Sequence, residues 1–363
     1  MTNEKLRVGI IGIGIYATLA HAPALRDTGK AEVVAICRRN TEKLAVAQKQ
    51  LGIAEAYTDW RTMLRQSRLD AVVVSTPHDL HAEPAIAALE QGLHVLVEKP
   101  MTLTQHDAQR MIAAAEHANR VLMVGYDRRF SGLWRAVKQI LTDNSIGQIR
   151  QINLQFAVHR RWYWDQQGIP EAFVNEIRQA LDWPDKFVED LRRGLDWHAS
   201  PLASGGGMFS NTGAHFVDLI LWLAGAPPVE VVAFSDALGM PAECLLNIQA
   251  RLANGVLVSM TSADVPAGGV SGQGRLTIIG DDGILTHDFT KPTEAWLHRD
   301  AEVEQVQAVV ADISPAAAFV ATITEGAPNL CPPQEAIHAV AFTQSAYRSA
   351  AERRIVQLSS DFI

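Results

Sequence analysis

Near its amino terminus the 363-residue chain carries Gly12-Ile13-Gly14-Ile15-Tyr16-Ala17, which has the spacing G-x-G-x-x-G/A. A loop with this spacing turns tightly at its first glycine, lets a pyrophosphate approach the backbone at its second, and packs a helix closely at its third position. The pattern follows an apolar run and opens a helical segment, which is the context in which it is functional. The sequence therefore predicts a dinucleotide site that includes Gly12, Gly14, Ile15 and Tyr16.

The segment Cys37-Arg38-Arg39-Asn40-Thr41, at the end of the second apolar run, indicates which dinucleotide is bound. An acidic residue there would accept hydrogen bonds from a ribose 2′-hydroxyl, whereas arginine accommodates a 2′-phosphate. The segment has no carboxylate, and the two guanidinium groups of Arg38 and Arg39 suit a dianionic phosphate. NADP(H) is therefore favoured and NAD(H) is the alternative. The other interpretation is that both arginines are simply solvated.

Lys99 follows the apolar run His94 to Val97, within the triplet Glu98-Lys99-Pro100. Ligands bind outside the carboxyl ends of parallel strands, and a proline restricts the backbone next to the ammonium group. We therefore expect Lys99 to face the nicotinamide and the substrate. An ordinary solvated lysine in a turn is the alternative.

These residues require a parallel sheet to position them. Short β-branched runs alternate with segments of helical period, such as Gln105 to Asn119. The runs are Val8 to Ile11, Val33 to Cys37, Ala71 to Ser75, His94 to Val97 and Val121 to Val124. Continuous apolar strands indicate a sheet covered on both faces, so we predict an α/β, doubly wound Rossmann domain over residues 1–125.

The later residues follow a different pattern, because several apolar runs succeed one another without room for helices. These runs are Val229 to Phe234, Leu245 to Leu252, Val256 to Ser262, Arg275 to Ile279 and Ile284 to Phe289. Asn254-Gly255 and Asp282-Gly283 are typical hairpin turns. With helices expected at Leu133 to Thr142, Phe216 to Ala224 and Gln334 to Glu352, residues 126–363 are predicted to form an α+β domain with a large, mostly antiparallel sheet.

Charge and cysteine content limit the possible partners and compartments. The net charge is −8, with no block of like charges, so we expect no nucleic-acid or membrane partner. Glycines at positions 9, 12 and 14 argue against reading the uncharged run Val8 to Leu25 as a signal peptide or a membrane span. Three widely spaced cysteines suggest neither a disulfide framework nor a zinc site, so we expect a cytoplasmic protein.

Further motifs make the pattern specific. They are Thr76-Pro77-x-x-x-His81, Gly92-x-His94-Val95-Leu96-x-Glu98-Lys99-Pro100, Arg129-Phe130 and Gly205-Gly206-Gly207-x-x-x-Asn211-x-Gly213-x-His215-x-x-Asp218. Together with the first loop, they resemble the glucose-fructose oxidoreductase, inositol dehydrogenase and rhizopine catabolism (Gfo/Idh/MocA) family. The resemblance extends over nearly the whole chain.

The resemblance implies that Lys99 and His215 face the nicotinamide from opposite sides of the substrate. An imidazole can remove the hydroxyl proton of a secondary alcohol at neutral pH, while Lys99 would hold the same oxygen. Asn211 stands where many dehydrogenases of the family have Asp. It can form hydrogen bonds but cannot take a proton, which favours His215 as the only strong acid–base group and argues against inositol-type oxidation.

The same resemblance extends the predicted site. It implies that Thr76, Pro77, His81, Glu98 and Lys99 lie on the cofactor side. The expected substrate residues are Lys99, Asp127, Arg129, Trp162, Asn211 and His215. Asp218 either orients the imidazole or only favours the helix dipole.

Residues 160–204 interrupt the strand series and carry four of the eight tryptophans, Trp162 among them. One interpretation is an amphipathic helical excursion packed on the surface, since surface insertions cost little. The other is a lid whose aromatic rings stack on a sugar.

The expected function is hydride transfer between a nicotinamide and a secondary alcohol or ketone of a sugar, polyol or related cyclic substrate. Two alternatives remain open: a glycoside-cleaving enzyme that oxidises the sugar transiently, and a dinucleotide-binding regulator without catalysis. The sequence has no H-E-x-x-H, G-x-S-x-G or Walker motif, and no metal is predicted. The resemblance and an open sheet face together imply a homodimer or homotetramer.

Overall fold

The computed structural model describes residues 4–159, 171, 174–175, 200–264 and 273–358. Its backbone contacts divide the chain into two compact units. The first contains described residues up to Tyr126 together with 171, 174–175, 200–204 and Ser314–Ile337; the second contains the remaining described residues. From the sequence we expect residues 126–363 to form one domain, whereas in the structure the segment Ser314–Ile337 belongs to the first unit.

The first unit contains a six-stranded parallel sheet. Its strands are β1 (Leu6–Ile11), β2 (Ala31–Cys37), β3 (Glu55–Tyr57), β4 (Ala71–Val74), β5 (His94–Val97) and β6 (Leu122–Val124). They lie in the order β3-β2-β1-β4-β5-β6, which is the doubly wound order of a Rossmann domain. The predicted α/β class is confirmed. The strand order reverses between β1 and β4, and a ligand crevice is expected outside the carboxyl ends of these strands.

Helices accompany these strands, and side-chain caps fix where several of them begin. In chain order the helices of the first unit up to Tyr126 are α1 (Ala22–Asp27), α2 (Thr41–Leu51), α3 (Trp60–Gln66), α4 (Ala82–Glu90) and α5 (Gln105–Ala118). The side chains of Asn40, Asp59 and Thr104 each accept a hydrogen bond from the backbone N–H three residues later. Such caps satisfy N–H groups that have no carbonyl partner within the helix.

The second unit contains a nine-stranded sheet. Its strands are β7 (Ile149–Val158), β8 (Pro228–Asp236), β9 (Leu245–Leu252), β10 (Leu257–Asp264), β11 (Gln273–Gly280), β12 (Ile284–Asp288), β13 (Ala295–Arg299), β14 (Glu302–Gln305) and β15 (Val356–Gln357). Their order is β14-β13-β12-β11-β7-β10-β9-β8-β15, and only β10 and β7 pair in parallel. The predicted hairpins at Asn254-Gly255 and Asp282-Gly283 connect β9 to β10 and β11 to β12.

The remaining helices complete both units. They are α6 (Gly132–Thr142), α7 (Pro201–Ser204), α8 (Ala214–Ala224), α9 (Pro315–Glu325) and α10 (Pro333–Glu352). Helix α8 is buried along nearly its whole length in the second unit, where the ring of Phe216 stacks on Phe156 of β7 with centroids 4.3 Å apart. This packing fixes α8 against the inner face of the nine-stranded sheet, and α8 carries His215.

Candidate active site

The loop after β1 has the shape that the glycine pattern predicts. Gly12 has a φ of +90°, and a Cβ at this position would lie 2.4 Å from the carbonyl oxygen of Ser75 and 2.7 Å from the backbone nitrogen of Thr76. No side chain fits between these backbones, and the left-handed conformation favours glycine as well. Gly12 therefore lets the loops after β1 and β4 come together at the switch point.

Gly14 is glycine for a different reason. A Cβ there would meet only the carbonyl oxygen of Gly12, at 3.9 Å, so the loop presents open backbone at this point. The carbonyl oxygen of Gly14 accepts hydrogen bonds from the backbone nitrogen and the Oγ1 of Thr18, at 3.0 and 2.7 Å, which start a short π-helical turn at Ala17–His21. An open glycine backbone that leads into a helix start fits a pyrophosphate.

Tyr16 and Ile15 stand at that helix start. The Tyr16 ring is half exposed and lies edge-on to the His21 ring, with centroids 5.1 Å apart. Both residues belong to the segment that a pyrophosphate on this loop would contact, so they remain predicted cofactor residues.

Arg38 and Arg39 lie at the carboxyl end of β2. The Arg38 Nη1 donates a hydrogen bond to the carbonyl oxygen of Ile13 at 2.6 Å, while Arg39 is exposed. The first arginine is thus attached to the glycine loop, and the second faces solvent beside it. The thiol of Cys37, the last residue of the strand, is held protonated because burial and then the charge of Asp59 raise its pKa to about 12.

Glu98 and Lys99 follow β5. The Glu98 Oε1 lies 2.8 Å from the Nε2 of His21, and its Oε2 accepts a hydrogen bond from the Lys99 backbone nitrogen at 3.2 Å. Burial alone would raise the pKa of Glu98, but the hydrogen bond and charge of His21 and the charge of Lys99 outweigh burial and lower it. Glu98 therefore stays ionised and links the loop after β5 to the helical segment after β1.

His81 does not have the predicted direct role. Its ring is fully buried, with Nδ1 2.8 Å from the carbonyl oxygen of Pro100 and Nε2 2.9 Å from that of Thr76. Burial lowers its pKa more than these two carbonyl contacts raise it. A ring with no accessible surface cannot contact a cofactor; instead it connects the Thr76-Pro77 loop to the Lys99-Pro100 loop, two segments that remain predicted cofactor contacts.

In the second unit, His215 is the second residue of α8 and lies close to Asp127. Its Nδ1 is 2.8 Å from the Asp127 Oδ1, and the side chains are 21% and 54% exposed. Among the described residues this Nδ1 has no well-aligned hydrogen-bond partner, although the Asp127 oxygen lies close to it. Asp127 thus places a carboxylate oxygen directly beside the ring nitrogen of His215.

Asn211 precedes His215 by four residues in the π-helical turn Phe209–Gly213, which runs directly into α8. Side chains at this separation are neighbours along a helix. Both are partly accessible, and that they act on one ligand stays a prediction.

A buried carboxylate holds this turn in place, and the sequence did not point to it. Glu243 accepts hydrogen bonds from the backbone nitrogens of Gly207 and Phe209, at 2.7 and 2.9 Å, and from the hydroxyl of Tyr347 at 2.9 Å. The Tyr347 hydroxyl in turn accepts a hydrogen bond from the Ser210 backbone nitrogen at 3.1 Å. Burial raises the pKa of Glu243 despite these donors. The only local signal is the run of three glycines, because the partners lie between 34 and 137 residues apart.

Gly206 explains part of that glycine run. It has a φ of +140°, and a Cβ there would lie 2.3 Å from the Tyr347 hydroxyl oxygen. The loop can approach Tyr347 only without a side chain at this position.

Arg129 is not a substrate residue in this structure. Its Nε and Nη2 donate to the two carboxylate oxygens of Asp218, each at 2.8 Å, and both side chains are 1% exposed. This two-point ion pair is buried inside the second unit and ties the turn Asp127–Phe130 to α8. Asp218 therefore pairs with Arg129, a partner that the sequence did not indicate.

The predicted contact from Trp162, and the interpretation of residues 160–204 as a lid, fall almost entirely on residues outside the described ranges. In the described part of the chain no helix combines the length and hydrophobicity needed to cross a membrane. The same part contains no group of three or more His, Cys, Asp or Glu side chains that could hold a metal ion.

The first unit has a doubly wound parallel sheet with an open glycine loop at its switch point. The second is an α+β unit that carries a histidine next to a carboxylate. These features define the class of nicotinamide-dependent oxidoreductases. Family models agree with this class. Residues 6–126 match the oxidoreductase family NAD-binding Rossmann fold, and residues 174–358 match its C-terminal alpha/beta domain. The chain belongs to the Gfo/Idh/MocA oxidoreductase family, so the resemblance inferred from the motifs is confirmed.

Individual relatives are more distant. The chain is 27% identical to Oxidoreductase P35 of Formosa agariphila over 60% of each chain. It is 32% identical to myo-inositol 2-dehydrogenase of Thermotoga maritima, over 39% of this chain and 42% of the relative. The chain thus spans less than two thirds of the length of these curated relatives. Among solved structures, aldose-aldose oxidoreductase from Caulobacter crescentus superposes with a TM-score of 0.78 and 22% identity, over 98% of this chain and all of the other; this similarity concerns the fold.

Proposed function

We propose that the protein is an NADP(H)-dependent dehydrogenase or reductase that acts on a secondary alcohol or ketone of a sugar, polyol or related cyclic compound. The family and the Rossmann loop support the nicotinamide. The names of relatives that act on myo-inositol and on aldoses support the substrate class. The observation that carries the reaction type is the partly accessible imidazole of His215 beside the Asp127 carboxylate.

The chain's residues fit the cofactor that the family implies. Gly12 and Gly14 leave backbone space for a pyrophosphate, and Arg38 and Arg39 supply two positive charges where an adenosine 2′-phosphate would extend from the end of β2. When bound, a nicotinamide accepts or donates the hydride. Lys99, which follows β5 in the same unit, would hold the oxygen of the reacting carbon.

His215 supplies the proton chemistry in this proposal. In oxidation, its imidazole takes the hydroxyl proton as the carbon–hydrogen bond breaks and the carbonyl forms; in reduction, it returns that proton to the oxygen. The charge of Asp127 stabilises the imidazolium formed in the first case. Asn211 contributes a hydrogen bond to the substrate and takes no proton.

Turnover and binding test the catalytic proposal together. The His215→Ala variant should lose nicotinamide reduction, measured by absorbance with a panel of aldoses, polyols and sugar acids, by about 10²-fold or more. Its affinity for the dinucleotide should stay close to that of the wild type. Turnover that survives this substitution would remove His215 from the mechanism.

The cofactor preference has its own experiment. Replacing Arg38 and Arg39 by alanine should weaken NADPH binding about 10- to 100-fold more than NADH binding, because two charge-assisted contacts to phosphate are lost while the contact of Arg38 with the glycine loop is lost for both dinucleotides. Arg26→Ala is the matched control, since Arg26 is an exposed arginine of the same unit. A wild-type preference for NADH would contradict the assignment of these arginines and leave the fold unaffected.

We also propose that the protein is a homodimer or homotetramer that associates through the outer face of the nine-stranded sheet. Asn247, Gln249 and Arg251 of β9 and Gln155 of β7 are exposed on that face, which makes it polar. Light scattering coupled to size exclusion measures the mass, and a monomer at all concentrations would contradict the proposal.

A further inference from the structure

Arg128 lies between two aromatic rings in the second unit. Its guanidinium carbon is 4.4 Å from the ring centroid of Phe216 and 5.0 Å from that of Phe289. The two rings meet edge-to-face, with centroids 4.9 Å apart. A guanidinium held by two ring faces has little freedom to rotate, so its direction is set before any ligand arrives.

In the described part of the chain this cation has no hydrogen-bond partner at its buried Nε, and it takes part in no ion pair. Burial lowers its pKa more than the nearby charge of Asp127 raises it. Taking an unpaired guanidinium out of water is unfavourable. The next residue shows the usual solution, because Arg129 is buried with both donors on Asp218. Within the described residues, Arg128 therefore has the properties of a site that is open to an added anion.

Its position relates it to the proposed chemistry. Arg128 follows Asp127, which lies 2.8 Å from the His215 Nδ1, and one of its ring partners, Phe216, follows His215. The cation and the proposed acid–base pair thus stand on the same two backbone segments of one unit. The side chain is only half-buried as a whole, which leaves part of it accessible to a ligand.

We propose that Arg128 binds a carboxylate of the substrate, and that the protein prefers sugar acids over the matching neutral sugars or polyols. This inference rests on the proposed function and narrows its substrate class. A guanidinium presents several N–H donors in the geometry of a carboxylate. We favour a carboxylate over a phosphate because one cation next to the negative Asp127 balances a single charge better than a double one.

Calorimetry on the full chain with bound NADP⁺ tests the preference without requiring turnover. The probes are matched pairs: D-galacturonate with D-galactose, D-glucuronate with D-glucose, and D-gluconate with D-glucitol. D-galactose 6-phosphate is the phosphate probe. The wild type should bind at least one acid about 10- to 100-fold more tightly than its neutral partner and than the phosphate. In Arg128→Met, whose apolar side chain can occupy the same space between the rings, this ratio should fall to near one.

The control is Arg275→Met, because Arg275 is an arginine of the same unit whose side chain is 81% exposed; it should keep the wild-type ratio. Arg128→Lys keeps the charge but loses the planar set of donors, so its ratio should be intermediate. Three results would overturn the inference. They are equal affinity for the acid and the neutral partner in every pair, a preference for the phosphate, and an acid-to-neutral affinity ratio that is unchanged in Arg128→Met. If the protein prefers the acids but reduces no nicotinamide with any probe, the proposed function is contradicted, whereas the carboxylate site is still supported.

Discussion

Removing the hydroxyl of Tyr347 should lower the free energy of unfolding substantially, although the group is a single oxygen atom with its hydrogen. In Tyr347→Phe, Glu243 loses one of its three donors and the Ser210 backbone nitrogen loses its acceptor, while the aromatic ring stays beside Phe209. A hydrogen bond to a carboxylate contributes about 1.5–3 kcal/mol, and the bond from the Ser210 nitrogen adds about 0.5–1.5 kcal/mol. Because the two effects share one network, we expect a loss of about 2–5 kcal/mol.

Thermal unfolding and urea denaturation measure this loss. For a unit of this size 1 kcal/mol corresponds to about 2–4 °C in Tm, so the variant should unfold about 4–20 °C below the wild type. The same variant should lower kcat, since the loop that Glu243 holds leads directly to Asn211 and His215.

The matched control is Tyr57→Phe. The Tyr57 hydroxyl also donates to a carboxylate, that of Glu55, at 3.1 Å, but both side chains are only half-buried. We expect a loss below about 1 kcal/mol there. If Tyr347→Phe is no more destabilising than Tyr57→Phe, the buried network does not hold the loop and the reasoning fails.

Three further predictions follow from single contacts. Asp127→Asn should lower kcat by up to about fivefold, because it removes a partly exposed carboxylate 2.8 Å from the His215 Nδ1 and such pairs contribute about 0.2–1 kcal/mol; steady-state kinetics measures the change. Gly12→Ala should cost about 2 kcal/mol or more and abolish dinucleotide binding, because its Cβ would overlap backbone atoms at a φ of +90°; denaturation and dinucleotide titration check both effects. Burial lowers the pKa of His287, so stability should fall as the pH drops below about 6.5, by up to about 1.4 kcal/mol per pH unit.

Each of these has a control and an opposing result. Asp300→Asn removes an exposed carboxylate of the same unit and should leave kcat unchanged; equal effects of the two Asp variants would remove Asp127 from the mechanism. Gly29→Ala also has a positive φ, +68°, but no atom within 4 Å of its Cβ, so it should cost less than Gly12→Ala. His287→Gln should show a shallower loss of stability between pH 7 and 5, and an identical slope would show that His287 does not contribute.

Much of the fold could be predicted from local patterns. The strand His94–Val97 and the strand Leu245–Leu252 lie where the apolar runs place them, and the turn Asn254-Gly255 forms the expected hairpin. The nucleotide loop could be predicted because the spacing of its glycines is a local motif, although the atoms that exclude a side chain at Gly12 belong to Ser75 and Thr76 in the loop after β4. Backbone conformation and side-chain periodicity depend on a few neighbouring residues, so they can be predicted directly from the sequence.

Strand β7 and helix α9 also carry local signals in their sequences. Strand β7 lies in the middle of the large sheet, and its buried Ile152, Leu154 and Phe156 alternate with polar residues, which is the period of a strand. Helix α9 has a Ser314 cap, Pro315 at its first position and Gly326 after its end. In both cases the local signal was present, and only the assembled units showed where each element belongs.

The roles of the two neighbouring arginines in the segment Asp127-Arg128-Arg129-Phe130 were decided by the tertiary structure alone. They have the same chemistry, and they differ only in what the fold brings to them. Arg129 pairs with Asp218, 89 residues away, and its charge is neutralised, whereas Arg128 packs between two phenyl rings and has no ion-pair partner among the described residues. The sequence by itself determined the family, the parallel sheet and the nucleotide loop, because those depend on spacing along the chain. Which charges are paired depends on distances through space, and these exist only once the chain is folded.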